Sequence, residues 1–157
     1  MVNTGISFED KEMINGTKFE SVGTTALSSA QNLIIGITAP ASPDVLTLKY
    51  ELSPSATCTI SVYEGATVAG GVALTAYNCN RNNSYTNPTT IKRTYNVTAY
   101  GTTLSKTKIT STAASLAPPV IGTLMMYPEK VYVIRVYADV ASNQLSWKLN
   151  WFSTRSI

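Results

Sequence analysis

The chain contains no histidine, two cysteines and nine carboxylates, and these counts limit the chemistry that its side chains can perform. Without histidine, a Ser–His or Cys–His nucleophile cannot be built, so proton transfer would fall to carboxylates or lysines. A glycosidase would need two carboxylates facing each other across a cleft. Glu64 and Glu129 flank predicted turns, where a carboxylate is usually a cap or a solvated charge. We therefore predict that the chain is not an enzyme, with a small hydrolase that uses Glu64 as the weaker alternative.

The same residue types argue against a metal or cofactor. Zinc sites draw on histidine and cysteine, and this chain would have to recruit carboxylates instead. Cys58 and Cys79 allow one intrachain disulfide, but Cys58 falls in phase with Ile60 and Val62 in a predicted strand, which favours a buried free thiol. The glycine-containing residues 68–71 lie between predicted strands and precede no helix, so they do not form a phosphate-binding loop. We predict no metal and no cofactor.

Tyrosine and asparagine residues offer a binding chemistry. Tyr77, Tyr85, Tyr95 and Tyr100 could stack on sugars, while asparagines in residues 78–87 hydrogen-bond the sugar hydroxyls. The ordinary alternative is that strand tyrosines pack their rings against neighbours and leave the hydroxyl in water. A glycan is therefore an alternative predicted partner.

The elements that must position these residues are strands. Apolar residues alternate with polar ones over residues 130–137 and again over 145–151, with a turn at 141–143, which predicts a β-hairpin. In the second run Trp147 and Trp151 share one face, so both are predicted to anchor the core.

About eight segments of this kind occur, and no segment keeps a 3.6-residue period. Many short strands predict an all-β fold, an antiparallel β-sandwich that is jelly-roll-like. A chain of 157 residues is expected to form one domain. Its charged fraction of 13% is about half the usual share, which suits a particle-surface or extracellular β protein.

Residues 1–24 carry much of the chain's acidity and few periodic apolar residues, so we predict an extended N-terminal arm ahead of a β-sandwich domain at 25–157. Phe8, Met13, Ile14 and Phe19 are candidate contacts with another subunit or another protein, each filling a pocket on the other surface. A locally packed N-terminus is the alternative.

The formal net charge of +3 is scattered, apart from Lys92 with Arg93 and Lys106 with Lys108. Without a basic stripe interleaved with aromatic residues, we predict no nucleic-acid partner. No apolar run is long enough to cross a membrane, and residues 1–6 lack the features of a signal peptide. We therefore expect a soluble chain with no membrane partner that is not exported by that route.

Two stretches carry a family resemblance. Residues 61–68 (SVYEGATV) and 71–82 (GVALTAYNCNRN) resemble a pattern found in small virion proteins of tailed bacteriophages, and residues 127–137 with 145–151 look like the closing strands of the same group. The group is the head decoration, or capsid cement, family. Cys79 departs from the pattern, where a polar residue is usual, and Ala138 with Asp139 replaces an asparagine-rich turn.

This resemblance implies a non-enzymatic structural role. Such proteins are β-sandwich subunits that sit as homotrimers on the outer capsid surface of the virion and stabilise the shell. The implied partner is the major capsid protein, and the implied place of synthesis is the host cytoplasm. A receptor- or glycan-binding β-sandwich module of a phage tail or fibre is the alternative interpretation.

Overall fold

A computed structural model describes residues 7–41, 45–84, 86–93, 96–111 and 118–154, and within these ranges the chain forms one short helix and thirteen strands. These elements are α1 (Phe8–Ile14), β1 (Lys18–Leu27), β2 (Asn32–Thr38), β3 (Val45–Pro54), β4 (Cys58–Glu64), β5 (Thr67–Ala69), β6 (Val72–Ala73), β7 (Tyr77–Asn78), β8 (Thr90–Arg93), β9 (Asn96–Ala99), β10 (Thr102–Ile109), β11 (Val120–Met126), β12 (Val131–Ala138) and β13 (Asn143–Thr154). The described helix is too short and too polar to span a membrane.

Two large antiparallel sheets pack together, which confirms the predicted all-β sandwich. Sheet A has the strand order β11-β3-β13-β1-β7, and sheet B has the order β10-β4-β12-β2-β8-β6. Consecutive long strands alternate between the sheets from β1 to β4, and again from β10 to β13. Between these two groups, the chain forms the flap, a separate pair of strands made by β5 and β9.

The core lies between the sheets and follows the alternation of side chains along each strand. In β13, Leu145, Trp147, Leu149 and Trp151 are buried, while Ser146 and Lys148 between them are exposed. Tyr132 and Ile134 of β12 enter the same core from sheet B. Apolar residues at every second position therefore mark the inward face, as the period of a strand requires.

The predicted hairpin of residues 130–151 is wrong in its pairing, although both strands exist. β12 pairs with β2 and β4 in sheet B, whereas β13 pairs with β1 and β3 in sheet A. The intervening turn contains Ser142 at φ 60 and carries the chain from one sheet to the other. Alternation reports which face of a strand is buried, and two facing sheets satisfy it as well as a hairpin does.

The predicted arm of residues 1–24 is also corrected where the structure describes it, which excludes residues 1–6. Residues 8–14 are helical, and β1 begins at Lys18 and pairs with β13 along all ten of its residues. Phe19 is 3% exposed, and its ring centroid lies 6.0 Å from that of Trp151. Residues 18–24 therefore belong to the sandwich, and Phe19 is a core residue that cannot fill a pocket on another protein.

The apolar pattern of β1 is weak because tryptophan rings occupy the space on its inner face. Gly23 lies opposite Trp147 in the register, and a Cβ atom there would be 2.3 Å from the indole ring. Ser21, on the same face, is also buried. Small residues at these positions make room for the rings, so β1 lacks the large apolar residues that usually reveal a strand.

The helix α1 caps the outer face of sheet A. Ser7 accepts a hydrogen bond from the Asp10 backbone N–H at 3.2 Å, which is a standard N-cap. Glu9 forms ion pairs with Lys49 and, at 3.9 Å, with Lys18, the residue opposite Phe152 in the register. Phe152 follows the outward-facing Lys148 and Asn150 in phase, yet it is only 5% exposed. We infer that α1 covers this ring.

Candidate functional site

A second, smaller apolar cluster lies on the outer face of sheet B, beneath the flap. Ile34 of β2, Val133 of β12 and Ala66, which precedes β5, are buried there. The partly buried residues packed against them are Tyr63, Val68, Val97, Tyr100 and Val131. This packing holds the flap on sheet B and brings the ring of Tyr100 to 4.6 Å from that of Tyr63, centroid to centroid.

Beside this cluster is a groove of about 260 Å³, which we call the tyrosine–arginine groove. Its lining residues come from β4, β10, β12 and the turn after β12: Thr59, Ser61, Tyr63, Lys106, Arg135, Tyr137 and Asp139. Tyr100, from the turn between β9 and β10, adds a ring next to Arg135.

Strand register explains why these residues meet. Ser61 of β4 lies opposite Lys106 of β10 on one side and Arg135 of β12 on the other, so the three form a row across the sheet. Thr59 and Tyr137 form the next row. Because alternate residues of a strand point to the same side, both rows project from the outer face of sheet B.

Arg135 is held by aromatic rings and an amide. Its guanidinium carbon lies 5.4 Å from the ring centroids of both Tyr100 and Tyr137, within the range of a cation–π interaction. Its Nε donates a hydrogen bond to Asn32 Oδ1 at 2.7 Å. In the described part of the chain, no carboxylate forms an ion pair with Arg135. The guanidinium is therefore oriented, and none of the described carboxylates serves as its counter-ion.

The remaining polar groups flank this cation. Thr59 Oγ1 donates to Asp139 Oδ2 at 3.1 Å, which fixes the carboxylate at one end of the groove. Lys106 lies on the exposed edge strand β10. With two cations and one carboxylate, the groove has a net positive charge and both donors and acceptors, an arrangement that can hold a polar anion.

A second cleft, of about 310 Å³, lies between the flap, β2 and β8. Its lining consists of Gly36, Thr38, Ala66, Thr67, Val68, Gly70, Thr90, Lys92 and Val131. The lining offers one charge and no aromatic ring, so it provides less for a ligand to recognise than the tyrosine–arginine groove does.

The carboxylate proposed for hydrolysis has an ordinary structural partner. Glu64 forms an ion pair with Lys130, and its hydrogen bond and charge raise the pKa of that lysine. The described residues contain no group of three or more cysteine, aspartate or glutamate side chains that could hold a metal ion. Both cysteines are free thiols, and burial raises the pKa of Cys58 to about 11.

An apolar surface lies at the edge of sheet A. In the described part of the chain, β11 pairs only with β3, so its other side is open. Ile121 is 71% exposed and Met125 64% exposed, and exposed Tyr127 follows them. We call these three residues the β11 edge row. The sequence pattern did not identify this row, because edge exposure depends on which strands pair.

The other predicted site residues are dispersed. Met13 of α1 is 39% exposed, whereas the side chains of Phe8 and Ile14 lie outside the described residues. Trp147 and Trp151 are both buried, and Trp151 Nε1 donates to Asn87 Oδ1 at 3.1 Å.

The predicted glycan residues do not assemble into one site in the described structure. Tyr77 is exposed on β7, Tyr100 contacts the groove, and Tyr85 and Tyr95 lie outside the described residues. Side-chain amides of the asparagine-rich segment are used internally. Asn78 donates to the Gly16 carbonyl and Asn83 to the Asn15 carbonyl, both at 2.9 Å. These bonds tie the segment to the turn after α1.

Comparisons of the chain with protein-family models, with curated proteins and with solved structures each found no match.

Proposed function

We propose that this chain is a non-enzymatic structural protein that binds the outside of a phage capsid as a decoration protein and stabilises the shell, as a trimer. Its partner would be the major capsid protein. The proposal starts from the resemblance carried by residues 61–68, 71–82, 127–137 and 145–151. The observation that carries it further is the β11 edge row, an apolar surface suited to protein contact.

The strand order supports this role. If the eight long strands are counted in chain order, sheet A reads 6-3-8-1 and sheet B reads 5-4-7-2. This order favours a jelly roll, the two-layer architecture of many viral capsid proteins and lectins. Because one fold serves many functions, the surface must supply the rest of the argument.

The edge strands β10 of sheet B and β11 of sheet A differ in a way that favours contact at β11. Strand β10, at one edge of sheet B, carries Lys106 and Lys108 beside the 44% exposed Leu104, and its two lysines discourage pairing with another chain. Strand β11 contains no charged residue, and its outward side chains Ile121 and Met125 are large and apolar. An open apolar edge of this kind is typical of a protein-contact surface.

Burial of this row would supply the binding energy. Complete burial of a large aliphatic side chain contributes about 1.5 to 3 kcal/mol, so Ile121 and Met125 are the side chains to test first. A closed trimer needs a head-to-tail contact, in which β11 of one copy would meet a different surface of the next copy. Alternatively, β11 would contact the shell. Occupancy of many identical lattice sites would then stabilise the shell by mass action.

The test combines oligomeric state with shell binding. We expect the purified chain to be trimeric by light scattering and to co-sediment with expanded shells of its own virus. The double variant Ile121→Lys/Met125→Lys should lose at least about tenfold in shell affinity, because each buried charge would be unpaired. Val72→Lys is the matched control, since Val72 is an exposed apolar residue on β6, at the opposite edge of sheet B from β10.

The control variant should bind as the unmodified chain does, and thermal melting should show that all variants are folded. A chain that is monomeric at high concentration and does not bind shells would show that the proposal is wrong. If Val72→Lys and the double variant lose shell binding equally, the β11 edge row is not the surface that contacts the shell.

A further inference from the structure

We propose that the tyrosine–arginine groove binds an acidic saccharide, whose carboxylate pairs with Arg135. The inference goes beyond the shell-binding role and does not depend on it, because a decoration subunit and a tail or fibre module can both carry such a site. It also moves glycan recognition away from Tyr77 and the asparagine-rich segment, whose amides hold the turn after α1.

The first step of the argument is the state of Arg135. Tyr100 and Tyr137 lie on its guanidinium, and Asn32 accepts its Nε–H at 2.7 Å. This bond uses one of the five N–H donors, and the other four belong to the two terminal nitrogens. A guanidinium that is already oriented loses little side-chain entropy when it binds a carboxylate with two parallel hydrogen bonds.

The second step is the aromatic content of the groove. The rings of Tyr100 and Tyr137 flank the Arg135 guanidinium, and Tyr63 packs against Tyr100. The other lining residues of the groove are polar or charged: Thr59, Ser61, Lys106 and Asp139. Rings with a polar tip suit a ligand that has an apolar face and hydroxyls at its rim, as a pyranose has. Small-molecule sites typically combine apolar walls with a few convergent polar groups, and this groove has that composition.

The third step separates a saccharide from a nucleic acid. Arginine, lysine and tyrosine would also suit single-stranded DNA. Asp139, however, lies in the same groove and accepts hydrogen bonds only. Sugar hydroxyls all round a pyranose can donate to it, whereas the DNA backbone brings a like charge at every phosphodiester and only the base N–H groups of DNA can donate. The presence of both Arg135 and Asp139 in the lining of one groove thus favours an acidic sugar.

The size of the groove limits what it holds. At about 260 Å³ it falls just below the range of about 300 to 1,000 Å³ that is typical of small-molecule sites. It lies on the outer face of a sheet, next to the exposed strand β10. We therefore assign it one acidic sugar unit, with the rest of a glycan extending over the surface past Lys106.

The test uses glucuronic acid, a glucuronate-containing tetrasaccharide and the methyl ester of that tetrasaccharide as probes, on the full chain in solution. Amide chemical-shift changes should map to β4, β10 and β12, and calorimetry should give affinities. We expect the ester, which lacks the negative charge, to bind about tenfold more weakly than the acid. Equal affinity of acid and ester would overturn the role of Arg135, and the absence of binding by all three probes would overturn the site.

Variants locate the interaction. Arg135→Gln is expected to weaken tetrasaccharide binding by about tenfold or more, and Arg135→Lys by less, because the charge stays but the planar fork is lost. Arg81→Gln is the matched control, since Arg81 is exposed in the turn after β7. It should bind as the unmodified chain does. If a single-stranded DNA oligonucleotide binds the groove and the saccharides do not, the proposal is wrong in its ligand class.

Discussion

The outer faces of the two sheets differ in whether their charged side chains form ion pairs. On sheet A, Glu20 pairs with Lys148 at 2.9 Å, and Glu9 of α1 pairs with Lys18 and Lys49. On sheet B, Arg135 is held by two tyrosine rings and an asparagine, and no described carboxylate forms an ion pair with it. Most described charges of the outer face of sheet A form ion pairs within the chain, while the outer face of sheet B holds an oriented cation that pairs with no described carboxylate.

This difference bears on which face of the sandwich could attract a charged ligand. Exposed ion pairs on sheet A contribute little stability and leave little net charge for a ligand to find. A guanidinium that is already oriented and has no described ion-pair partner can form strong, charge-assisted hydrogen bonds with an anion. Sheet A instead offers its edge, where the β11 edge row is apolar. The two layers therefore present different chemistry at their surfaces.

The largest expected effect contrasts an inward aromatic residue of sheet A with an outward one of sheet B. Trp151→Ala should lower the free energy of unfolding by about 3 to 5 kcal/mol, because it leaves a cavity in the core. It also removes the donor to Asn87. Tyr137→Ala should cost about 1 kcal/mol or less, since its ring lies on the outer face. Urea unfolding measures both, and equal costs would show that the groove is part of the core.

Sheet B should be the layer whose interior responds to alkaline pH. Burial, with a smaller contribution from the charge of Asp139, raises the pKa of the Cys58 thiol from 9.0 to about 11. Between these values the unfolded chain releases the thiol proton while the folded chain keeps it, so stability falls as pH rises. The loss attributable to Cys58 is about 2 to 3 kcal/mol, and below pH 9 its contribution is fully present.

Urea midpoints at pH 8 and pH 10.5, compared between the unmodified chain and Cys58→Ala, isolate this contribution. The alanine variant should be the less stable at pH 8, because the substitution leaves a cavity. The difference in urea midpoint between the two proteins should be smaller at pH 10.5. Cys79→Ala serves as the comparison. Cys79 is half-buried, and burial raises the pKa of its thiol as well, so the same change with pH should be seen there but should be smaller. A gap of unchanged size would show that the thiol does not titrate as stated.

The smallest expected effect concerns the cover of sheet A. Deletion of residues 1–17 removes α1 and exposes Phe152, so the unfolding free energy should fall by about 1 to 2 kcal/mol while the sandwich stays folded. Deletion of residues 1–20 also removes Phe19 and should cost more. Circular dichroism and urea unfolding measure both. If the shorter deletion unfolds the chain, α1 is part of the core and not a cover.

Sequence pattern predicts some of these features and misses others for identifiable reasons. Strands β12 and β13 were predictable because burial on one face repeats every second residue. Their pairing was not, because alternation does not say which sheet a strand joins. Strand β1 was missed because Gly23, which makes room for the Trp147 ring, removes the expected apolar residue.

The tyrosine–arginine groove was missed for a related reason. Tyr63 is far in sequence from Arg135 and Tyr137, and it meets them only when β4 and β12 pair in register. Each one, taken alone, is an ordinary outward residue of a half-buried strand. A binding site assembled across strands leaves no local motif, whereas the core leaves its period in every strand that contributes to it.

The pairing of β1 with β13 constrains how this chain can fold. It joins residue 18 to residue 152 and residue 27 to residue 143, and β13 also separates β1 from β3 in sheet A. The middle of that sheet therefore stays incomplete on a ribosome until residues 143–154 have emerged. Contacts between such distant residues slow folding, since a long loop must close before any of them forms. Until then β1 and β3 each expose an edge that can pair with other chains. The chain is therefore most prone to aggregate during this interval.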